Sequence, residues 1–135
     1  MQKQKNPYGT KLEFASAGHE FHLSLSKYIG ETEKNLILAD KNTVKFCLPL
    51  LVDIMPAARQ YPIIQLEAGE KEKNIRRAEH IWSELMRHEA GRGSTLINLG
   101  GGVITDMGGF VASTYKRGIN FINIPTSLMG MADSA

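Results

Sequence analysis

The stretch Leu96-Ile97-Asn98-Leu99-Gly100-Gly101-Gly102-Val103-Ile104-Thr105-Asp106 constrains the fold more than any other part of the chain. An apolar run of strand length passes straight into three glycines and then into helix-forming residues, so the backbone turns sharply from strand to helix. Glycines at such a turn let the backbone approach an anion closely. The unpaired N–H groups and the positive dipole end of the helix then favour negative charge. In the G-x-G-x-x-G form of this turn the third glycine serves close helix–strand packing. Here Gly100 and Gly102 are present but Thr105 stands in third place, so a small facing residue is expected opposite it. From this stretch alone, a pyrophosphate cradle and a purely structural turn both stand.

The rest of the chain alternates strand and helix. Between residues 11 and 27, Leu12 and Phe14 and then Phe21, Leu23 and Leu25 recur at period two around Ala17-Gly18, which predicts an N-terminal β-hairpin. Residues 35–39 predict a strand, with Asp40 and Asn42 able to cap a following helix over 43–58 that Pro49 should kink or delay. Residues 62–66 predict a strand and 67–71 a polar turn. Ile75, Ala78, Ile81, Trp82, Leu85 and Met86 then form one apolar stripe on a helix over 74–89. Gly91 and Gly93 should stop that helix. A strand over 94–99, a helix from the glycine turn to about Lys116 and a strand over 119–124 complete the order. Strands separated by helices of this length predict an α/β fold: a Rossmann-like parallel sheet flanked by helices.

At 135 residues the chain is the size of one domain, with residues 1–10 read as a flexible N-terminus and 11–135 as the domain itself. Hydrophobic residues make up 42% and charged residues 22%, as in ordinary globular proteins. The 16 basic and 14 acidic side chains are mixed along the sequence without a block of one sign, so a nucleic-acid partner is not implied. Cys47 is the only cysteine, which excludes an internal disulfide, and its neighbours Phe46 and Leu48 suggest a packed thiol. No apolar run reaches the roughly 18 residues needed to span a bilayer, so no membrane association is expected and a cytoplasmic location is.

Two acidic residues carry double readings. Asp106 lies in the first turn of the glycine-led helix, where the dipole stabilises it, and where it could also hydrogen-bond a ribose or nicotinamide. Asp40 could cap the next helix, the plainer role, or hold an adenosine ribose hydroxyl.

Residues 100–128, GGGVITDMGGFVASTYKRGINFINIPTSL, resemble the pattern GGGxxGDxxGFxAxxxxRGxxxxxxPTTL of the 3-dehydroquinate synthases. The resemblance continues through Asp133 and Ser134, and back to residues 68–73, AGEKEK, which are similar to the family's DGExxK. It implies NAD as cofactor. Glu70 and Lys73 would contact it on one side, Gly101, Gly102 and Val103 would approach its pyrophosphate, and Asp106, Thr126 and Ser127 would hold the remainder. Asp40 and Asn42 would lie at the adenosine end. Arg117 would meet the substrate, as an arginine fork suits a carboxylate or phosphate, and Asp133 would lie close to the reacting ring. The plainer alternatives are solvated charges for Glu70 and Lys73, and a cation at a helix C-terminus for Arg117. Three departures are visible: Thr105 for a glycine, Ala68 for an aspartate and Ser127 for a second threonine.

The activity implied by the resemblance belongs to the shikimate pathway: 3-deoxy-D-arabino-heptulosonate 7-phosphate, a small phosphorylated sugar acid, becomes 3-dehydroquinate plus phosphate. Family members continue with GGKTxxN and a helical domain that gives one Glu and two His to zinc or cobalt, motifs these residues lack. No complete catalytic set and no metal site are therefore expected here. His19 and His22 fall in the predicted hairpin, and His80 and His88 lie eight residues apart on one helix. The chain reads as a truncated, NAD-holding N-terminal portion, inactive alone. Leu128, Met129 and Met131 form an apolar patch that favours a homodimer. Another sugar phosphate cyclase, such as 2-deoxy-scyllo-inosose synthase, or a catalytically inert nucleotide-binding module, remains an alternative origin.

Overall fold

The structure, a computed structural model, describes the backbone of Gln2–Gln4 and Thr10–Leu12 and all of residues 34–126. Strands β3 (Asn35–Asp40), β4 (Ile63–Leu66), β5 (Thr95–Gly100) and β6 (Asn120–Pro125) form a parallel sheet in the order β6-β5-β3-β4. This is the α/β arrangement that the alternation of strand and helix predicts. Two short strands, β1 (Gln2–Gln4) and β2 (Thr10–Leu12), extend the β6 side antiparallel. Gln2–Gln4 thus pair with the sheet, where the sequence suggested a flexible terminus. The predicted hairpin, apart from Leu12 and its neighbour Lys11, lies outside the described residues, as do His19 and His22.

Both faces of the sheet are covered, which is why β5, near its middle, is buried at all six positions. Ile37, Ala39, Ile97, Leu99, Ile122 and Ile124 face one way, toward α1 (Lys41–Phe46) and α2 (Leu48–Ile54). Leu36, Leu38, Leu96 and Phe121 face the other, toward α3 (Ile75–Arg87) and α4 (Gly102–Thr114). The edge strand β4 keeps the alternation of a half-covered strand. None of the helices among the described residues is long and apolar enough to cross a membrane.

The helix expected over 43–58 is broken twice, once at each proline. Pro49 has no N–H to continue the first segment and opens α2, and Pro56 opens a 3₁₀ turn, Pro56–Gln60. Helix α3 matches its apolar pattern, with Ala78, Ile81 and Leu85 buried, but the stripe is narrower than expected because Ile75 and Met86 are each 58% exposed. Its end lies before Gly91. Glu89, at φ 57, takes the left-handed position: its N–H donates to Met86 O (2.9 Å) and that of Ala90 to Leu85 O (2.9 Å). This is the pair of bonds that a glycine-closed helix makes, with glutamate in glycine's place.

Candidate nucleotide-binding site

The direction of the connections places a crevice at the C-terminal edge of the sheet. From β3 the chain crosses to β4 on one side. From β4 it returns past β3 to β5, and from β5 it moves on to β6. Strand order therefore reverses between β3 and β5, and an open α/β sheet receives ligands at such a switch point. Asp40 ends β3 and Gly100 ends β5, so these residues flank the crevice.

Helix α4 points its N-terminus into this place without a side-chain cap. Gly101 is its N-cap residue, and the first helical bond runs from Thr105 N to Gly101 O (3.0 Å). The N–H groups of Gly102, Val103 and Ile104 thus lie ahead of the helical ladder. A side chain at Gly101 or Gly102 would meet nothing within 4 Å, so the space above the turn is open. Unspent donors, a positive helix end and open space fit a phosphate group.

The close packing expected at the third glycine occurs one turn later. Thr105 is part-buried, and its hydroxyl turns back to the carbonyls of Gly101 and Gly102 (3.2 Å each). Gly108 touches the sheet instead: a Cβ there would lie 1.9 Å from Asn98 Oδ1, on a side chain with no exposure to solvent. Asn98 Nδ2 donates to Asn123 Oδ1 (3.0 Å), its register partner on β6, while Asn98 Oδ1 has no hydrogen-bond partner. Nothing in the motif spacing singles out Asn98, Asn123 or Gly108. Two polar residues inside apolar strands and a glycine pair inside a helix were the available signal.

Charged groups gather beside the turn. Lys73 Nζ donates to Asp106 Oδ2 (2.9 Å), which joins two residues expected on the cofactor and raises the pKa of Lys73 through that bond and its charge. Glu70 is exposed in the 3₁₀ turn Glu70–Glu72, which follows Gly69 at φ 117. Below the ion pair, Lys73, Ile75, Ala78, Asp106, Met107 and Phe110 line a cleft of about 340 Å³. At the other side Asp40 caps α1. Its Oδ1 accepts from Asn42 N (2.8 Å) and Thr43 N (2.9 Å), and Asp40 N donates to Thr43 Oγ1 (2.9 Å). The cap is thus real, and it engages one carboxylate oxygen. Cys47 is buried, and desolvation, with a smaller contribution from Asp40, raises its pKa and keeps the thiol protonated.

Val103 is part-buried against the α3–α4 core, and Thr126 is exposed just past the end of β6, at the same edge as the turn. Arg117 is not brought there. It follows α4 in the 3₁₀ turn Tyr115–Arg117, exposed and at φ 67, three residues before β6 begins. Asn120 pairs with Thr95 at the start of β5, so Arg117 sits at the opposite, N-terminal edge of the sheet. Ser127, Leu128, Met129, Met131 and Asp133 lie outside the described residues. Among the described residues no three His, Cys, Asp or Glu side chains could together hold a metal ion.

Residues 63–135 match the family model described as 3-dehydroquinate synthase N-terminal. The chain is 50% identical over 113 residues to a 3-dehydroquinate synthase of Parabacteroides distasonis, which covers 84% of the chain and 31% of that protein. It is 40% identical over 101 residues to the one of Clostridium kluyveri, covering 74% of the chain and 28% of that protein. The chain therefore spans about 30% of the length of these relatives. In fold it resembles 2-deoxy-scyllo-inosose synthase, solved with carbaglucose-6-phosphate, NAD+ and Co2+ (TM-score 0.68, 21% identity, 82% of this chain and 31% of that one). It also resembles 2-epi-5-epi-valiolone synthase of Streptomyces hygroscopicus, solved with NAD+ and Zn2+ (TM-score 0.63, 19% identity, 88% of this chain and 35% of that one). With the model matching more than half of its residues, the chain belongs to the 3-dehydroquinate synthase family, within that family's N-terminal portion.

Proposed function

We propose that the chain supplies the NAD-holding part of a 3-dehydroquinate synthase, the shikimate-pathway enzyme that forms 3-dehydroquinate and phosphate from 3-deoxy-D-arabino-heptulosonate 7-phosphate. The observation that carries the reading is the uncapped N-terminus of α4 under open space at the β3–β5 switch point. When bound, NAD supplies a hydride acceptor. The residues present fit its phosphates: the N–H groups of Gly102, Val103 and Ile104 donate to the pyrophosphate, and the α4 dipole favours its charge. Asp40 accepts from an adenosine ribose hydroxyl through the carboxylate oxygen that the cap leaves, beside Asn42. Lys73 and Asp106 hold the opposite side, with Glu70 and Thr126 near the same edge.

The described residues do not fit a zinc or cobalt ion. The alternative of another cyclase has fold likeness behind it, whereas the relatives of 40–50% identity carry the dehydroquinate synthase name. The test is to titrate NAD into the chain by calorimetry and to follow its melting temperature. Heat of binding and a rise in melting temperature are expected, and neither signal at millimolar NAD would sink the reading.

A further inference from the structure

Glu72 is the one charged residue buried among the described residues, at 4% exposed. A carboxylate removed from water is costly unless its oxygens are satisfied. Both are: Oε2 accepts from Arg77 Nε (2.8 Å) and Oε1 from Glu67 N (3.1 Å). Glu67 is the first residue after β4, and Arg77 the third of α3, so one side chain ties together the two ends of the intervening turn. Inside it, Glu72 N donates to Gly69 O (3.1 Å), Lys73 N to Glu70 O (3.0 Å) and Asn74 N to Glu72 O (3.0 Å). Lys73, the next residue, reaches out to Asp106 on α4.

Apolar side chains would anchor a turn at less cost. What a fully satisfied buried anion adds is a single register for the backbone around it. We propose that Glu72 is a positioning residue for the cofactor site: it fixes the turn that sets Lys73 against Asp106 beside the N-terminus of α4. It does so without touching the cofactor, because both its oxygens are engaged within the turn. The inference rests on the NAD reading above. It also goes beyond the DGExxK pattern, which names the positions of Glu70 and Lys73 and leaves position 72 open.

Two measurements on the chain test it: NMR titration of the Lys73 side chain, and NAD calorimetry on the wild type, E72Q, K73M and the double variant. With Glu72 replaced, the pKa of Lys73 is expected to fall back toward that of an ordinary lysine, because the turn no longer holds Lys73 against Asp106. NAD affinity should weaken about tenfold in E72Q, and the double variant should bind no worse than K73M, since both substitutions break one contact. Lys73 titrating in E72Q as in the wild type, or losses that add in the double variant, would overturn the proposal. Should E72Q fail to fold, R77K keeps the charge and loses the Nε geometry, and the same displacement of the Lys73 titration is required of it. An absence of NAD heat in the wild type counts against the functional reading alone, and the Lys73 titration then decides the role of Glu72.

Discussion

Gly108 and Gly109 are neighbours on α4 with opposite reasons for being glycine. At Gly108 a Cβ would fall 1.9 Å from Asn98 Oδ1 and 2.2 Å from its Cγ, against a fully buried side chain that its hydrogen bond to Asn123 holds in place. At Gly109 it would meet only the Phe121 ring at 3.6 Å, an ordinary contact. Gly108→Ala is therefore expected to lift α4 from the sheet and cost about 2–3 kcal/mol. Gly109→Ala should gain about 0.5–1 kcal/mol from helix propensity alone. Urea unfolding of the two variants checks this, and a Gly108→Ala midpoint equal to that of the wild type would refute the close approach. The same pair marks the limit of sequence reading at this scale. The glycine turn was legible because three glycines between strand and helix have few other uses. That the packing contact falls at Gly108 and not at position 105 depends on where the helix lies over Asn98, which spacing within the motif does not encode.

Element boundaries were legible where a residue has no alternative and missed where it has one. Pro49 announced its break because it lacks a donor, and Asp40 announced the start of α1 through its carboxylate, as a cap paired with Thr43. The end of α3 was misplaced because glycine is the expected stop, and Gly91 and Gly93 stood nearby. Glu89 closes the helix at φ 57, two residues earlier, held there by the bonds of its own N–H and that of Ala90. Ala90 and Leu85, which bracket this closure, are both buried in the α3–α4 core, so tertiary packing fixes the turn against local preference. Glu89→Gly should relieve the left-handed strain, with a net gain of about 0.5–1 kcal/mol after the added flexibility of the unfolded chain. On a domain of this size that is a rise of roughly 2–5 °C in melting temperature. A scanning-calorimetry trace with no rise would mean that the turn is not strained at Glu89.

At the scale of the molecule, the layered α/β plan followed from alternation, but the strand order did not. Helices α3 and α4 have 13 residues each, yet α3 carries the chain past β3 and α4 carries it only to the adjacent strand. Length is the same in both and does not say which strand comes next, so the switch point between β3 and β5 appears only when the strands are assembled. That assembly separates residues which the family pattern lists together. Asp40, residues 70–73, Gly101, Gly102, Asp106 and Thr126 belong to the C-terminal edge, and Arg117 to the other, about 17–20 Å away along six-residue strands. Amide hydrogen exchange with and without NAD distinguishes the two edges. The N–H groups of Gly102, Val103 and Ile104 precede the helical ladder and should exchange quickly in the free chain, so their protection has to come from a ligand. NAD is expected to slow exchange at these residues and in the turn at residues 70–73, and to leave residues 115–118 unchanged. Protection confined to residues 115–118 would place the nucleotide at the wrong edge and remove the switch-point reading of the site.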